Sequence, residues 1–218
     1  MYQVSAFYQH PQDPVAFDDY YLNEYSRIAV RLPGLIHMTL NWPQPGDDGA
    51  PPPFYLVTLM YWPDKGVALA ALAGPVGAEA ADSASRFGGL GPIVINAEGS
   101  AKVAFVPRAP DTPHEIHSIL GLYEVPPDPS GFDKHYRTVH SELAAKMPGL
   151  AGFTVNWTQP ASDGTPAPYY LIGAQEWLTN DSRGEALSSP EAAAAIADLD
   201  NFADVGMSML ICRSMRVV

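Results

Sequence analysis

The chain is poor in the residues on which several large functional classes depend. Cys212 is its one cysteine, which excludes an intrachain disulfide framework and favours a reducing, cytoplasmic location. Lysine and arginine number 12 against 24 acidic residues and form no cluster. Because phosphate backbones are bound by cations, we expect no nucleic-acid partner. No apolar run approaches the roughly 18 residues of a membrane span, and a basic signal-peptide start is absent, so we expect no membrane association.

Familiar catalytic motifs are also missing. The sequence has no nucleophile elbow, no phosphate-binding glycine loop and no Cys/His metal-ligand spacing. The run Gly88-Gly89-Leu90-Gly91 is too short for a phosphate loop and is interpreted as a turn before a strand. Cys212 lies among apolar residues of a predicted strand and is interpreted as an inert buried thiol. We therefore predict neither a metal site nor an organic cofactor.

The chain does contain two copies of one unit, at a constant offset of 115 positions. Identical pairs include Asp13/Asp128, Pro14/Pro129, Phe17/Phe132, Tyr21/Tyr136, Asn41/Asn156 and Trp42/Trp157. Ungapped agreement over roughly 80 positions indicates duplication. Positions that both copies share are expected to serve the common scaffold, and positions that differ are where one copy can specialise. We place the first repeat at 1–98, a linker at 99–114 and the second repeat at 115–218.

Hydrophobic period and turn residues predict the same order of elements in each copy. Strands are predicted at 3–8, 35–44, 54–62 and 91–96, and again at 116–123, 150–159, 169–177 and 206–217. Helices are predicted at 14–32 and 66–87, and again at 129–147 and 182–203, with breaks at Pro75 and Pro190. Asp13 and Asp128 are predicted N-caps, and an Asp-Gly turn joins the middle strands of each copy.

The order β-α-β-β-α-β in each half defines an α+β fold of the ferredoxin-like type, with antiparallel strands and both helices on one face of the sheet. The alternation of side chains along the strands makes the other face of the sheet apolar as well, so this face must also be buried. The economical arrangement packs the two halves sheet against sheet. We therefore predict that two ferredoxin-like repeats form a pseudo-dimeric α+β barrel within one chain.

The first helix of the second copy resembles the EthD family of dimeric α+β barrel proteins. The matching residues are Phe132, Tyr136, His140, Leu143, Pro148 and Gly149. The first copy keeps Phe17, Tyr21, Pro33 and Gly34 but has Tyr25 where the histidine belongs. The resemblance covers most of each repeat and implies a tandem, single-chain version of a barrel that normally takes two chains.

What this resemblance implies about activity is broad. The namesake of the family accompanies an oxygenase system that degrades an ether fuel additive, and it has no settled role. Related barrels include cofactor-free monooxygenases, polyketide cyclases, chlorite dismutase-like haem proteins and muconolactone isomerase. Their pockets usually lie between the helices and the sheet of each half.

His140 is the leading catalytic candidate. It lies on the predicted inward stripe one turn after Tyr136, where a histidine at the edge of an apolar pocket can move protons. Tyr136 would orient His140, and Asn156 would stabilise negative charge developing on an oxygen. The alternatives are a core histidine satisfied by a backbone carbonyl or tyrosine hydroxyl and, since Asn41 matches Asn156, a repeated structural hydrogen bond.

Five further residues are predicted to bind the ligand: Tyr21, Tyr25, Asn41, His135 and Trp157. Packing within the scaffold is the alternative for the tyrosines and the tryptophan. His135 precedes His140 by five residues, about 140° around an α-helix, so we expect that the two cannot easily bind one metal. His37 corresponds to Gly152 in the other copy and is a weaker candidate.

Three functions remain open from the sequence. The first is a cofactor-independent acid–base enzyme, of the isomerase, cyclase, lyase or monooxygenase-like kind, acting on a small apolar or aromatic carbonyl compound. The second is a non-catalytic ligand-binding or accessory protein of a catabolic pathway, with His140 as a polar anchor. The third is a protein with a solid barrel that works through its surface. Pairing of two chains as a homodimer is also left open.

Overall fold

A computed structural model describes residues 1–46, 49–87, 91–107, 114–202 and 206–218. Its strands are β1 Tyr2–Tyr8, β2 His37–Pro43, β3 Leu56–Trp62, β4 Ile93–Val103, β5 His114–Tyr123, β6 Leu150–Gln159, β7 Leu171–Trp177 and β8 Met207–Arg216. Its α-helices are α1 Pro14–Tyr20, α2 Ser26–Ala29, α3 Lys65–Ala73, α4 Pro75–Ala84, α5 Pro129–His135, α6 Ser141–Ala144, α7 Asn180–Leu187 and α8 Pro190–Asp198.

The long first helix of each copy contains a π-helical turn, which the sequence did not predict. Tyr21–Tyr25 joins α1 to α2, and Tyr136–His140 joins α5 to α6. A π-helix pairs each residue with the fifth one along the chain. Residues five apart are therefore brought to one side of this helix, which changes which side chains can meet.

The starts of these helices form as the sequence predicts. Asp13 and Asp128 each accept a hydrogen bond from the backbone N–H three residues on, at 3.0 and 3.1 Å. A proline follows each cap at the first helical position, where its fixed φ suits a helix and its missing N–H is not needed. The first helices of both copies thus begin at equivalent positions of the repeat.

All eight strands form one closed barrel in the order β1-β3-β2-β8-β5-β7-β6-β4. Each half contributes four consecutive strands of this ring, and the halves join through antiparallel pairs β2–β8 and β4–β6. The predicted pseudo-dimeric barrel within one chain is confirmed.

Strand alternation gives the sheet two different buried faces. One face packs under the helices, as with Leu40 in the first half and Phe153 in the second. The other face fills the barrel and brings side chains of both halves together, including Phe7, Leu59 and Leu120. A ligand pocket between helices and sheet is therefore separated by the strands from anything inside the barrel.

The observed boundaries differ from the predicted ones in places. Strand β4 runs on to Val103, five residues into the segment predicted as a linker, because it pairs with β6 of the other half. The predicted turn at 88–90 and the Asp48 of the first Asp-Gly turn lie outside the described residues. The division at 99–114 stays a prediction. In the described part of the chain, no helix has the length and apolar character needed to cross a membrane.

Candidate functional site

The second half contains a cavity of about 110 Å³ between its helices and its sheet. Apolar side chains such as Phe153 and Met209 supply most of its wall. The residues of the wall that carry polar groups include His140, Gln175, Tyr123 and Tyr136. An apolar cavity with a few converging polar groups is typical of a small-molecule site.

Asp198, at the end of α8, binds both histidines of the first helix. Nε2 of His135 is 2.9 Å from Oδ1 of Asp198, and Nδ1 of His140 is 3.2 Å from Oδ2. The π-turn brings residues five apart to one side of the helix, so the angle of about 140° assumed for an α-helix does not apply here. That the two histidines cannot easily bind one metal stays a prediction.

The environment fixes the protonation of this pair. Burial alone would raise the pKa of Asp198, but hydrogen bonds from Asn201, His135 and His140 outweigh it and hold that pKa below its usual value. Burial lowers the pKa of His140, against the opposing effect of Asp198. At neutral pH Asp198 is therefore ionised and His140 neutral, with its proton on Nδ1 toward the carboxylate. Nε2 of His140 makes no hydrogen bond to any described residue and is available as a base.

Tyr136 stands beside His140, with ring centroids 5.0 Å apart. Burial raises the pKa of Tyr136 well above its usual value, so its hydroxyl stays protonated and can donate a hydrogen bond. Burial also raises the pKa of Tyr123 to about 12. The wall of the cavity therefore presents a base, His140, next to neutral hydroxyl groups.

Gly173 of β7 makes the room for Tyr136. A Cβ at Gly173 would lie 3.0 Å from the Tyr136 hydroxyl oxygen, closer than ordinary contact. The corresponding residue of the first copy is Thr58, whose hydroxyl is 2.5 Å from the hydroxyl of Tyr21. The first copy thus gives its tyrosine a threonine partner, whereas the second copy has no side chain there and Tyr136 interacts with Tyr123 instead.

The polar partners differ between the copies in the same way. Where the second copy pairs His135 with Asp198, the first pairs the hydroxyls of Tyr20 and Ser83 at 2.9 Å. Tyr25 replaces His140 and is buried against Tyr21, with ring centroids 4.8 Å apart. Neutral hydroxyl groups in the first copy thus stand where the second copy has a carboxylate and two histidines beside a cavity.

The structure does not bring Asn156 to His140. Asn156 points into the barrel, on the face of β6 opposite to Phe153, because neighbouring strand positions alternate. Its amide donates to Thr154 at 3.1 Å and to the carbonyl of Ile172 at 3.3 Å. Asn41 makes the equivalent bonds in the first copy. The predicted role of Asn156 in the pocket is corrected accordingly, and the repeated structural hydrogen bond is present.

The other predicted ligand-binding residues lie outside the cavity as well. Tyr21 and Tyr25 belong to the core of the first half. Trp157 lies on the helix side of β6, where its indole N–H donates to Asp133 at 2.7 Å and Arg137 stacks on its ring. His135 reaches the site through Asp198 and does not line the cavity.

Sequence reasoning missed Asp198, Gln175, Gly173 and Phe202. Phe202 packs on both histidines, with ring centroids 5.0 Å from His135 and 4.8 Å from His140. The comparison between the copies carried a usable signal for the other three. Each differs in chemistry from its equivalent in the first copy, which is Ser83, Met60 and Thr58 respectively.

Among the described residues, no group of three or more His, Cys, Asp or Glu side chains is arranged to hold a metal ion. Instead, one ring nitrogen of each of His135 and His140 lies within hydrogen-bond distance of Asp198.

The fold and the cavity define a tandem α+β barrel protein with a small-molecule-sized pocket in its second half. No family model matches the chain. An uncharacterized 11.0 kDa protein from the thcB–thcC intergenic region of Rhodococcus erythropolis is 34% identical over 95 residues, which are 44% of this chain and 91% of that protein. The chain belongs to the family of this protein.

Solved structures resemble the chain at lower identity. A proposed monooxygenase from Lactobacillus acidophilus NCFM has a TM-score of 0.63 and 12% identity, with 98% of this chain and 92% of that chain covered. An EthD family protein from Bacillus halodurans C-125 is 24% identical with a TM-score of 0.39, over 43% of this chain and 95% of that one. The first of these likenesses spans both halves and shows the fold.

Proposed function

We propose that the chain is an acid–base enzyme that needs no cofactor and acts on a small apolar or aromatic carbonyl compound in the second-half cavity. The observation that carries this proposal is the Asp198–His140 pair at the wall of an apolar cavity. The copy that lacks the histidine and the aspartate also fills the space with Tyr25 and Thr58. The first copy thus lacks both the base and the space beside it, which supports a joint role for the base and the cavity in the second copy.

The expected position of the ligand follows from two polar side chains, Tyr136 and His140. Its carbonyl oxygen would accept a hydrogen bond from Tyr136, whose raised pKa keeps the hydroxyl a donor. The carbon next to the carbonyl would then face Nε2 of His140, which takes a proton from it. Asp198 stabilises the imidazolium that forms, and Tyr136 stabilises the enolate oxygen. This proton transfer is a first step common to isomerisation, cyclisation and oxygenation of such compounds.

Hydrogen exchange at carbon tests the proposal without knowledge of the natural substrate. Aromatic ketones such as acetophenone would be incubated with the protein in D₂O, and deuterium entering next to the carbonyl would be followed by NMR. We expect the protein to accelerate this exchange and His140→Ala to abolish the acceleration with the fold intact. Tyr25→Ala is the matched control in the first copy and should keep the rate. If no ketone exchanges hydrogen faster with the protein than in buffer alone, the proposed enzymatic activity is refuted.

A second candidate function is ligand binding without catalysis. Met207 and Met209 on the cavity wall favour it, because flexible thioether side chains suit surfaces that accept varied apolar ligands. Ketones that bind in the cavity with no acceleration of exchange would identify this carrier or accessory role. His140→Ala would then weaken binding only.

A further inference from the structure

One end of the barrel interior departs from the twofold pattern of the repeat. His37 of β2 corresponds to Gly152 of β6, and Glu176 of β7 corresponds to Tyr61 of β3. His37 is paired in register with Tyr61, and Gly152 with Glu176, so all four lie at the same end of the barrel. Nε2 of His37 is 2.8 Å from Oε1 of Glu176, and both side chains are only 3% exposed. Two positions at which the copies differ thus meet across the interior.

Phe105 covers this end. Its ring stacks on the ring of His37, with centroids 3.6 Å apart and an interplanar angle of 15°. It fills the space left by the missing side chain of Gly152, since a Cβ there would lie 2.6 Å from the Phe105 ring. The ring comes from the exposed segment that follows β4, which is tied to β6 by the bond from Val106 N–H to the carbonyl of Ala151 at 2.8 Å. A surface segment therefore supplies an aromatic ring to an interior slot.

An unpartnered acceptor lies at the edge of that slot. Oε2 of Glu176 is buried and has no hydrogen-bond partner among the described residues. It lies 3.5 Å from the position of a Gly152 Cβ, next to the Phe105 ring. Ser118 faces Glu176 across the β5–β7 pair, and its hydroxyl is equally without a partner within the described chain. A buried carboxylate oxygen without a donor is unfavourable, so this place favours a group that donates a hydrogen bond.

We propose that this end of the barrel is a second ligand site, separate from the cavity at His140, for a planar aromatic ring bearing a hydroxyl or amino group. The ring would stack on His37 where Phe105 now stacks. Its hydroxyl or amino group would donate to Oε2 of Glu176, and Ser118 would complete the polar edge. Phe105 is then an internal cover that the ligand displaces.

Phenol and toluene test the site, because the two rings have nearly the same shape and only phenol carries a donor. Binding would be measured by calorimetry and by NMR of the His37 ring, with Phe105→Ala to remove the cover. Gly173→Thr would be added to occupy the His140 cavity. We expect phenol to bind Phe105→Ala at least tenfold more tightly than toluene and to shift the His37 signals. The protein that keeps Phe105 should bind phenol more weakly.

Two outcomes would overturn the proposal. Equal binding of phenol and toluene would show an apolar hole with no role for Glu176. Phenol binding that leaves the His37 signals unchanged would place the ligand elsewhere. If Phe105→Ala does not fold, Phe105→Leu retains an apolar cover of smaller size, and the same preference for phenol over toluene is required of it.

Discussion

Replacing Gly173 by threonine would give the second copy the residue that the first copy has at Thr58. The new Cβ would start 3.0 Å from the hydroxyl oxygen of Tyr136, so the ring must move by a few tenths of an ångström. Such overpacking costs about 1–3 kcal/mol. A hydrogen bond like that of Thr58 to Tyr21 would return about 1 kcal/mol. The net loss of folding stability is therefore small, about 0–2 kcal/mol.

The effect on the cavity should be much larger than the effect on the fold. The cavity measures about 110 Å³, so the threonine side chain and the displaced Tyr136 ring would occupy much of it. Acetophenone affinity, measured by calorimetry, should fall at least tenfold, which corresponds to about 1.4 kcal/mol. The melting temperature should fall by at most about 8 °C for a chain of this size.

The reciprocal change supplies the control. Thr58→Gly removes the hydrogen bond to Tyr21 and opens space in the first copy, so it should lower stability while leaving acetophenone binding in the second copy unchanged. If Gly173→Thr binds acetophenone as tightly as the parent protein, the cavity at Tyr136 is not the binding site and the reasoning fails.

Three further changes test the charged groups. Asp198→Asn should weaken the preference of His140 for one tautomer and slow ketone exchange at least tenfold. Long-range ¹H–¹⁵N NMR measures the tautomer, and deuterium uptake measures the exchange rate. An unchanged tautomer and an unchanged rate would contradict the role of Asp198. Because burial lowers the pKa of His140 below 6.5, the unfolded chain takes up that proton first, and stability should fall as pH drops below 6.5. Urea unfolding across pH should show a shallower decline for His140→Gln, and an identical decline would refute this. His37→Leu leaves the Glu176 carboxylate buried without its partner and should cost about 3–5 kcal/mol, whereas His37→Leu/Glu176→Leu should recover much of the loss in the same unfolding experiment.

Duplication and period were enough to predict the barrel. A pattern repeated at a fixed offset determines that both halves share one unit, and the apolar second face of each sheet requires a partner. The Asp13 and Asp128 caps were predictable because their chemistry is local. The π-turn was not, since its single extra residue per turn leaves the hydrophobic period of so short a segment almost unchanged.

The site was only partly predictable for the same reason. His140 and Tyr136 share one helix, so spacing alone placed them together. Asp198 comes from a helix 58 residues further on, and only the tertiary packing brings it to His140. Asn156 was assigned to the pocket by its chemistry, although the alternation of β6 points it into the barrel. Differences between the copies at Gly173 and Asp198 were visible but needed the structure to show that they converge.

A crystal structure of the protein soaked with acetophenone would test the central claim most directly. We expect density in the second-half cavity alone, with the carbonyl oxygen within hydrogen-bond distance of Tyr136 and the methyl carbon facing Nε2 of His140. Acetophenone bound in the first half, or bound in the second half away from both residues, would contradict the assignment of His140 as the base and of the second half as the site.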